Sequence, residues 1–169
     1  DNPPVHRKVA GGPPTSTLFQ PPSQVNGLFS DPNCQACGDG VQFHAEDFIV
    51  NDPSGSFTIG QVVIWGGYFP GNTPNVTDDF SINIRDDAAG LPGAVLFSVS
   101  GLEPDVRLKT GAVLFAVDEY LFTFNLAAPP SLANGTYWIE ISNDTTGNAG
   151  SDFFWETGFR DTDNGTPNA

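Results

Sequence analysis

Residues 79–85 read DFSINIR, a stretch in which apolar and polar side chains alternate. Its apolar members are Phe80, Ile82 and Ile84. Because successive side chains of a β-strand point to opposite faces of a sheet, this period of two indicates a strand with one buried and one polar face. Strands of that kind are typical of antiparallel sheets.

The same alternation recurs along the chain between turn residues. Tyr120, Phe122, Phe124 and Leu126 form a second apolar row. Several such strands at short intervals predict an all-β, two-sheet antiparallel β-sandwich of jelly-roll or immunoglobulin-like type. The predicted strands are 43–50, 57–65, 79–85, 94–100, 113–126, 136–142 and 152–157.

Composition supports the all-β prediction and restricts the partners. The chain has 14 Phe, 19 Gly and 15 Pro, no Met, and only 6 Lys+Arg. Aromatic residues suit sheets, and Gly and Pro interrupt helices. The net charge of −14 argues against binding to nucleic acid or anionic lipid, and leaves Ca²⁺ or a basic protein surface as charged partners. No apolar stretch approaches the ~20 residues that span a bilayer.

Export is expected from the start of the sequence and from its cysteines. The sequence begins at Asp1 and contains no Met, which a removed signal peptide explains. The only cysteines, Cys34 and Cys37, are closely spaced, as in exported proteins with oxidised thiols. We therefore expect a secreted, extracellular or cell-surface location. Four N-glycosylation sequons, if used, mark exposed loops; they are at Asn75, Asn134, Asn143 and Asn164.

Residues 1–40 differ in composition from residues 41–169. The first segment is rich in Pro and Gly and predicts an extended arm that includes a small disulfide loop; the second predicts the sandwich domain. The only apolar, strand-prone part of the arm consists of Thr15, Ser16, Thr17, Leu18 and Phe19. The arm is either a disordered tail or a segment that adds a strand to another subunit.

Five motifs resemble a group of secreted bacterial surface proteins, many of which carry a C-terminal PEP-CTERM sorting signal. The resemblance covers about residues 20–160 and implies secretion and a β-sandwich, with no established activity. The motifs are QPPSQVNGLFSDPNCQACG (20–38), AEDFIV (45–50), VVIWGGYF (62–69), DDFSINIRDDAAGLPG (78–93) and LANGTYWIEI (132–141).

The sequence departs from that resemblance at its end, where DTDNGTPNA replaces the further apolar strand that the family pattern implies. A sandwich without its last strand has an open edge that pairs readily with another chain. The TSTLF segment at 15–19 then supplies a strand to a neighbour, and head-to-tail contacts of this type build filaments. The alternatives are a clipped C-terminus, or an arm that closes its own domain.

No catalytic constellation is evident, and we expect no enzyme. A Cys-x-x-Cys spacing also occurs in redox motifs and zinc sites, but Cys34 and Cys37 lie in a Pro/Gly-flanked loop, which favours a disulfide. Zinc sites use four ligands, and only His44 is near. The sequence has only two His and no GxSxG motif, which argues against a Ser–His–Asp triad.

Two binding sites are weaker candidates. Asp78, Asp79, Asp86 and Asp87 flank one predicted strand, and each pair is a candidate for Ca²⁺ with help from another loop; no other cofactor is indicated. Aromatic residues on a sandwich rim stack on sugar rings. The candidates are Trp65, Tyr68 and Trp138, of which Trp138 is expected to be exposed because it lies opposite the row Tyr137/Ile139/Ile141.

Together these observations predict a secreted structural subunit of an extracellular filament or surface assembly, which self-associates into a homopolymer by strand donation from the arm. The alternative prediction is a non-catalytic β-sandwich module that binds glycan or calcium. Deletion of residues 1–20 distinguishes the two, because it removes the donor strand and leaves ligand binding intact.

Overall fold

The computed structural model describes residues 22–38, 40–148 and 150–158, and this part of the chain forms β-strands without a helix. The predicted all-β class is confirmed. Chain order gives β1 (Pro22–Phe29), β2 (Ala45–Val50), β3 (Ser56–Thr58), β4 (Gln61–Pro70), β5 (Phe80–Asp87), β6 (Pro92–Leu102), β7 (Val106–Leu114), β8 (Val117–Asn125), β9 (Ser131–Ala133), β10 (Gly135–Asn143) and β11 (Ser151–Gly158).

The strands form three antiparallel sheets. The five-stranded sheet has the order β1-β11-β4-β8-β7, the four-stranded sheet β2-β10-β5-β6, and the smallest sheet pairs β3 with β9. The pairing is nested: β1 pairs with β11, β2 with β10, β3 with β9, and β4 with β8. The first and second halves of the chain therefore pair with each other as one long antiparallel ribbon. The ribbon is rolled, so that its successive parts lie in different sheets.

The main hydrophobic core contains residues of both larger sheets. Phe80 belongs to the four-stranded sheet, and its ring centroid lies 4.9 Å from that of Phe124, 5.3 Å from that of Phe122 and 5.0 Å from that of Phe153. These three residues belong to the five-stranded sheet. Aromatic pairs at these distances stabilise a core beyond the effect of the buried area. Phe80, Ile82 and Ile84 are all fully buried. The apolar residues of DFSINIR therefore lie on the side of β5 that faces the core.

A second, smaller apolar cluster lies on the opposite face of the five-stranded sheet. It contains Leu114, Val117 and Phe154, with Phe29 and Phe69 packed against it. The five-stranded sheet curls, and its two edge strands, β1 and β7, approach to within 8 Å between Cα atoms. This sheet therefore has packed side chains on both faces.

Glycines in β4 allow β11 to lie close to it. A Cβ atom on Gly66 would be 2.2 Å from the carbonyl oxygen of Phe154, and one on Gly67 would be 2.9 Å from both the carbonyl oxygen of Asp118 and the ring of Phe154. Only residues without a side chain fit between the neighbouring strands at these positions.

Strand β1 changes the predicted position of the open edge. Residues 22–29 belong to the segment predicted as an arm, yet they pair with β11 in the same chain. The expectation of an open edge beside β11 is wrong, because β11 lies between β1 and β4. Residues 15–19 and the DTDNGTPNA segment lie outside the described residues.

Several strand boundaries also differ from the prediction. Residues 113–126, predicted as one strand, include the turn between β7 and β8 at Phe115 and Ala116, whose φ angles of 53° and 65° lie in the left-handed region. No Gly or Asn marks this turn in the sequence, so the usual signal was absent. Strand β4 continues to Pro70, beyond residue 65, where the predicted strand ended.

Candidate functional site

Asp78 lies in a buried polar cluster that connects the two larger sheets. Its Oδ1 accepts hydrogen bonds from the Tyr68 hydroxyl at 2.5 Å and from Asn143 Nδ2 at 2.9 Å, and its Oδ2 accepts one from Arg107 Nη1 at 2.7 Å. Burial, and then the charge of Asp78, raise the pKa of Tyr68 above its usual range. Both oxygens of Asp78 are therefore engaged in holding the fold.

Of the other three predicted calcium ligands, Asp79 lines the same cleft as Asp78, and Asp86 and Asp87 are not brought to it. Asp79 is exposed before β5 begins, whereas Asp86 and Asp87 lie at the opposite end of that strand. Asp87 Oδ1 accepts a hydrogen bond from Trp138 Nε1 at 3.0 Å. Within the described ranges, no group of three or more His, Cys, Asp or Glu side chains is placed to hold a metal ion.

An acidic cleft of about 450 Å³ opens beside Asp78. It lies where the loops next to β5, β6 and β10 meet. Its carboxylates can accept hydrogen bonds from hydroxyl or ammonium groups. The lining residues are Thr77, Asp78, Asp79, Gly101, Glu103, Asp144, Thr146 and Gly147.

Cys34 and Cys37 form a disulfide, as expected, and no free cysteine remains in the part of the chain that the structure describes. The carboxylate of Asp152, in β11, accepts backbone N–H bonds from Gln35 at 2.8 Å and Ala36 at 2.7 Å. Asp152 is nearly fully buried. The small disulfide loop is thus attached to β11 by a buried carboxylate, and both oxygens of Asp152 accept hydrogen bonds from its backbone N–H groups.

Asp31 anchors the segment before the disulfide loop. It is fully buried, and its oxygens accept hydrogen bonds from the Phe153 and Asn33 backbone N–H groups and from the Thr145 hydroxyl. Since buried carboxylates cost free energy unless they are hydrogen-bonded, Asp31 and Asp152 are structural residues.

Two of the three aromatic residues proposed for sugar stacking are buried. Tyr68 is fully buried in the Asp78 cluster, and Trp138 is only 4% exposed. The expectation that Trp138 is exposed is wrong: it stands between Asp47 and Arg85 of the neighbouring strands, and its indole donates to Asp87. Trp65 is half-buried.

The sequons do not all mark exposed loops. Asn75 and Asn143 are buried, and Asn143 Nδ2 donates to Asp78, so the expectation is wrong for both. Asn134 is exposed, and its side chain makes hydrogen bonds with the backbone of Asp52 at 2.9 and 3.0 Å. Asn164 lies outside the described residues.

A carboxyl pair formed by Glu119 and Glu156 was not found from the sequence. Glu119 is 1% exposed, and Glu156 is partly buried next to it. Burial raises the pKa of Glu156 to about 8, and a hydrogen bond with Glu119 and its charge act in the same direction. The polar face of this sheet was expected to lie in solvent, and the pair becomes apparent only when β11 and β8 are placed on either side of β4.

Two edge strands, β6 and β7, expose apolar side chains. Strand β6 pairs only with β5, and β7 only with β8. Strand β6, PGAVLFSVSGL, has 11 residues without a charge. The exposed apolar residues of the two strands are Val95, Leu96, Val106, Leu108 and Val113.

Comparisons place the chain beside no known protein. The part of the chain that the structure describes contains no helix long and apolar enough to cross a membrane. No protein-family model, no curated protein and no solved structure matches the chain.

Proposed function

We propose that the protein is a secreted structural subunit of an extracellular filament or surface assembly, built on a two-sheet jelly-roll sandwich. The nested pairing of the strands supports this architecture, because a jelly roll is a long antiparallel ribbon wrapped into two facing sheets. The core shared by Phe80 and Phe124 supports two sheets packed face to face.

The observation that carries the proposal is the uncharged edge strand β6. Proteins usually protect long edge strands with charges, because the unpaired N–H and C=O groups of an edge accept another strand. Strand β6 has 11 residues and no charge in a chain whose net charge is −14. Val95 and Leu96 are exposed on it. These properties suit an acceptor edge for a strand from a neighbouring subunit.

The donor strand in this proposal is the TSTLF segment, residues 15–19. It is uncharged and β-prone, as β6 is, and it lies shortly before β1 in the sequence. A donor from one subunit on β6 of the next gives a head-to-tail contact, which repeats into a filament unless it closes into a ring.

The alternative predictions have less support. Tyr68 and Trp138 are buried, so neither side chain forms a surface for sugar stacking. For calcium, Asp78 and Asp87 already accept hydrogen bonds from Arg107 and Trp138, and the four predicted ligands lie at two ends of β5. The acidic cleft is the place to examine if the protein proves to be a monomer.

Electron microscopy of the intact chain tests the proposal. We expect filaments or tubes from the wild type, and dispersed particles from a chain without residues 1–20 and from Leu96→Lys. Val76→Lys, which adds the same charge at a fully exposed loop position, is the control and is expected to assemble.

Each variant tests a different part of the proposal. Dispersed wild-type monomers contradict the assembly function itself. Assembly of the truncated chain excludes the arm as donor, and assembly of Leu96→Lys excludes β6 as acceptor.

A further inference from the structure

The Glu119–Glu156 pair lies on the face of the five-stranded sheet that points away from the main core. Glu119 is two residues from Val117, and Glu156 is two residues from Phe154, and both of these apolar residues belong to the second cluster. The alternation of β-strands places each Glu on the same face as its neighbour in that cluster.

Strand β4 separates the two strands that carry the pair, and it presents glycines to them. Gly66 pairs with Tyr120 on one side and with Trp155 on the other, and Gly67 pairs with Phe154. Of the two, Gly67 is on the same face of β4 as Phe69 of the second cluster, so it leaves room on that face for the carboxyl groups of Glu119 and Glu156 to approach each other across β4.

Both edge strands of the sheet bind this pair. In β1, Gln24 donates its backbone N–H to Glu156 Oε2 at 3.2 Å and its side-chain Nε2 to Glu119 Oε1 at 3.0 Å. In β7, the hydroxyl of Thr110 donates to Glu119 Oε2. The β1–β11 register shifts between Pro22 and Gly27, and this irregularity contains Gln24.

No positive charge balances the pair among the described residues. In β7, Lys109 binds Asp118 and Arg107 binds Asp78. Strands β1 and β4 contain no Lys, Arg or His. Two adjacent carboxylates in a partly buried site cannot both be ionised without a large cost, so one of them keeps its proton.

The hydrogen bonds indicate which carboxyl group holds the proton. Glu119 accepts bonds from Gln24 and Thr110, as a carboxylate does. Glu156 Oε1 is buried and accepts no hydrogen bond. It gains a partner only if it carries a proton, which it can then donate to Glu119. The arrangement therefore fits a neutral Glu156 that donates its proton to a hydrogen bond with Glu119.

We propose that Glu119 and Glu156 share one proton and form a clasp that holds edge strands β1 and β7 together across the outer face of the five-stranded sheet, and that loss of the proton opens it. Ionisation of both groups would place like charges side by side under Gln24. Burial raises the pKa of Glu156 to about 8, so the clasp is closed at neutral pH and opens under mildly alkaline conditions.

This inference goes beyond the proposed function and does not rest on it. The clasp acts within one subunit, whether or not subunits assemble. The clasp holds β1, the strand that follows residues 15–19 in the sequence.

NMR of the glutamate side-chain carboxyl carbons in the intact chain, from about pH 4 to about pH 10, tests the shared proton directly. We expect one wild-type glutamate to titrate near pH 8. That titration should be absent from Glu156→Gln and present in Glu103→Gln, which removes an exposed carboxylate elsewhere. A wild-type spectrum in which every glutamate titrates below about pH 6 overturns the proposal.

Amide hydrogen exchange of residues 23–29 tests the opening. After correction for the intrinsic pH dependence of exchange, we expect wild-type protection to fall by at least about tenfold between about pH 6 and pH 9. Glu156→Gln keeps a neutral side chain of the same shape and should retain its protection over this range. Equal loss of protection in the wild type and in Glu156→Gln, or no loss in the wild type, contradicts the clasp.

Discussion

Arg107 Nη1 lies 2.7 Å from Asp78 Oδ2, and this ion pair connects strand β7 of one sheet with the residues that lead into β5 of the other. The Asp78 side chain is only 2% exposed and that of Arg107 is 30% exposed. A carboxylate so deeply buried depends on its partners, because it has lost its hydration. Removing one partner of this pair should therefore cost more free energy of folding than the net attraction between the two charges contributes.

Removal of Arg107 should destabilise the fold. We predict that Arg107→Gln lowers the free energy of unfolding by about 2 kcal/mol, less than for a fully buried pair because Arg107 is partly exposed. Chemical denaturation measures this change. Lys109→Gln breaks an exposed pair on the same strand and should have little effect. Similar effects of the two substitutions would contradict a special role for the Asp78 cluster.

Strand β11 should tolerate no side chain at Gly66 of β4. We predict that Gly66→Ala lowers the free energy of unfolding by about 3 kcal/mol, because its Cβ would meet the Phe154 carbonyl oxygen at 2.2 Å. Gly60→Ala is the matched control, since a Cβ at that position has no neighbour within 4 Å. Thermal unfolding of both variants gives the comparison, and a stable Gly66→Ala protein would show that β4 and β11 are farther apart than described.

Asp152 should protect the disulfide loop. We predict that Asp152→Ala makes the Cys34–Cys37 disulfide several-fold easier to reduce, because the loop loses the acceptor of its Gln35 and Ala36 N–H groups. The rate of thiol release with a mild reductant is the measurement. Asp79→Ala removes an exposed carboxylate and should leave the rate unchanged. An unchanged rate in Asp152→Ala would mean that the loop holds its conformation without this anchor.

Stability should decrease with rising pH because of Glu156. Its pKa is about 8 in the folded chain and 4.5 as the ordinary value, so the folded state binds the proton more tightly than the unfolded state. The stabilisation is complete below about pH 4.5 and is lost as the pH rises through about 8. We predict a loss of about 1–2 kcal/mol over this window, after allowance for partial exposure.

Glu156→Gln provides the reference for that pH dependence. Denaturant titrations at several pH values should show a wild-type curve that falls relative to the variant between about pH 5 and about pH 8. Parallel curves would show that Glu156 has an ordinary pKa in the folded protein.

The sequence predicted the strands that alternate most clearly. The apolar rows of β5 and β8 are buried as expected, because a period of two assigns the side chains of a strand to its faces without knowledge of the neighbours. Phe80 and Phe124 were thus identified as core residues before their contact was known.

The errors concern residues whose environment is set by distant strands. Trp138 lies opposite an apolar row, and its burial depends on Asp87 at the end of another strand. Strand β1 begins with Pro22 and contains Gly27, so its local sequence favours a turn or an extended arm; its pairing with β11 overrides that preference. The Glu119–Glu156 pair needs the order of three strands and was inaccessible for the same reason.

The nested pairing of strands also dictates an order of events in folding. Neighbouring strands such as β5 and β6 can join as soon as both exist, whereas Ser23 and Thr157, which meet across β1 and β11, are 134 residues apart. Long-range pairing of this kind is slow, because the entropy of a large loop must be lost before the contact forms. We expect the chain to fold from its middle outward. During synthesis, β1 emerges from the ribosome long before β11 and waits without its partner until most of the sheet has formed.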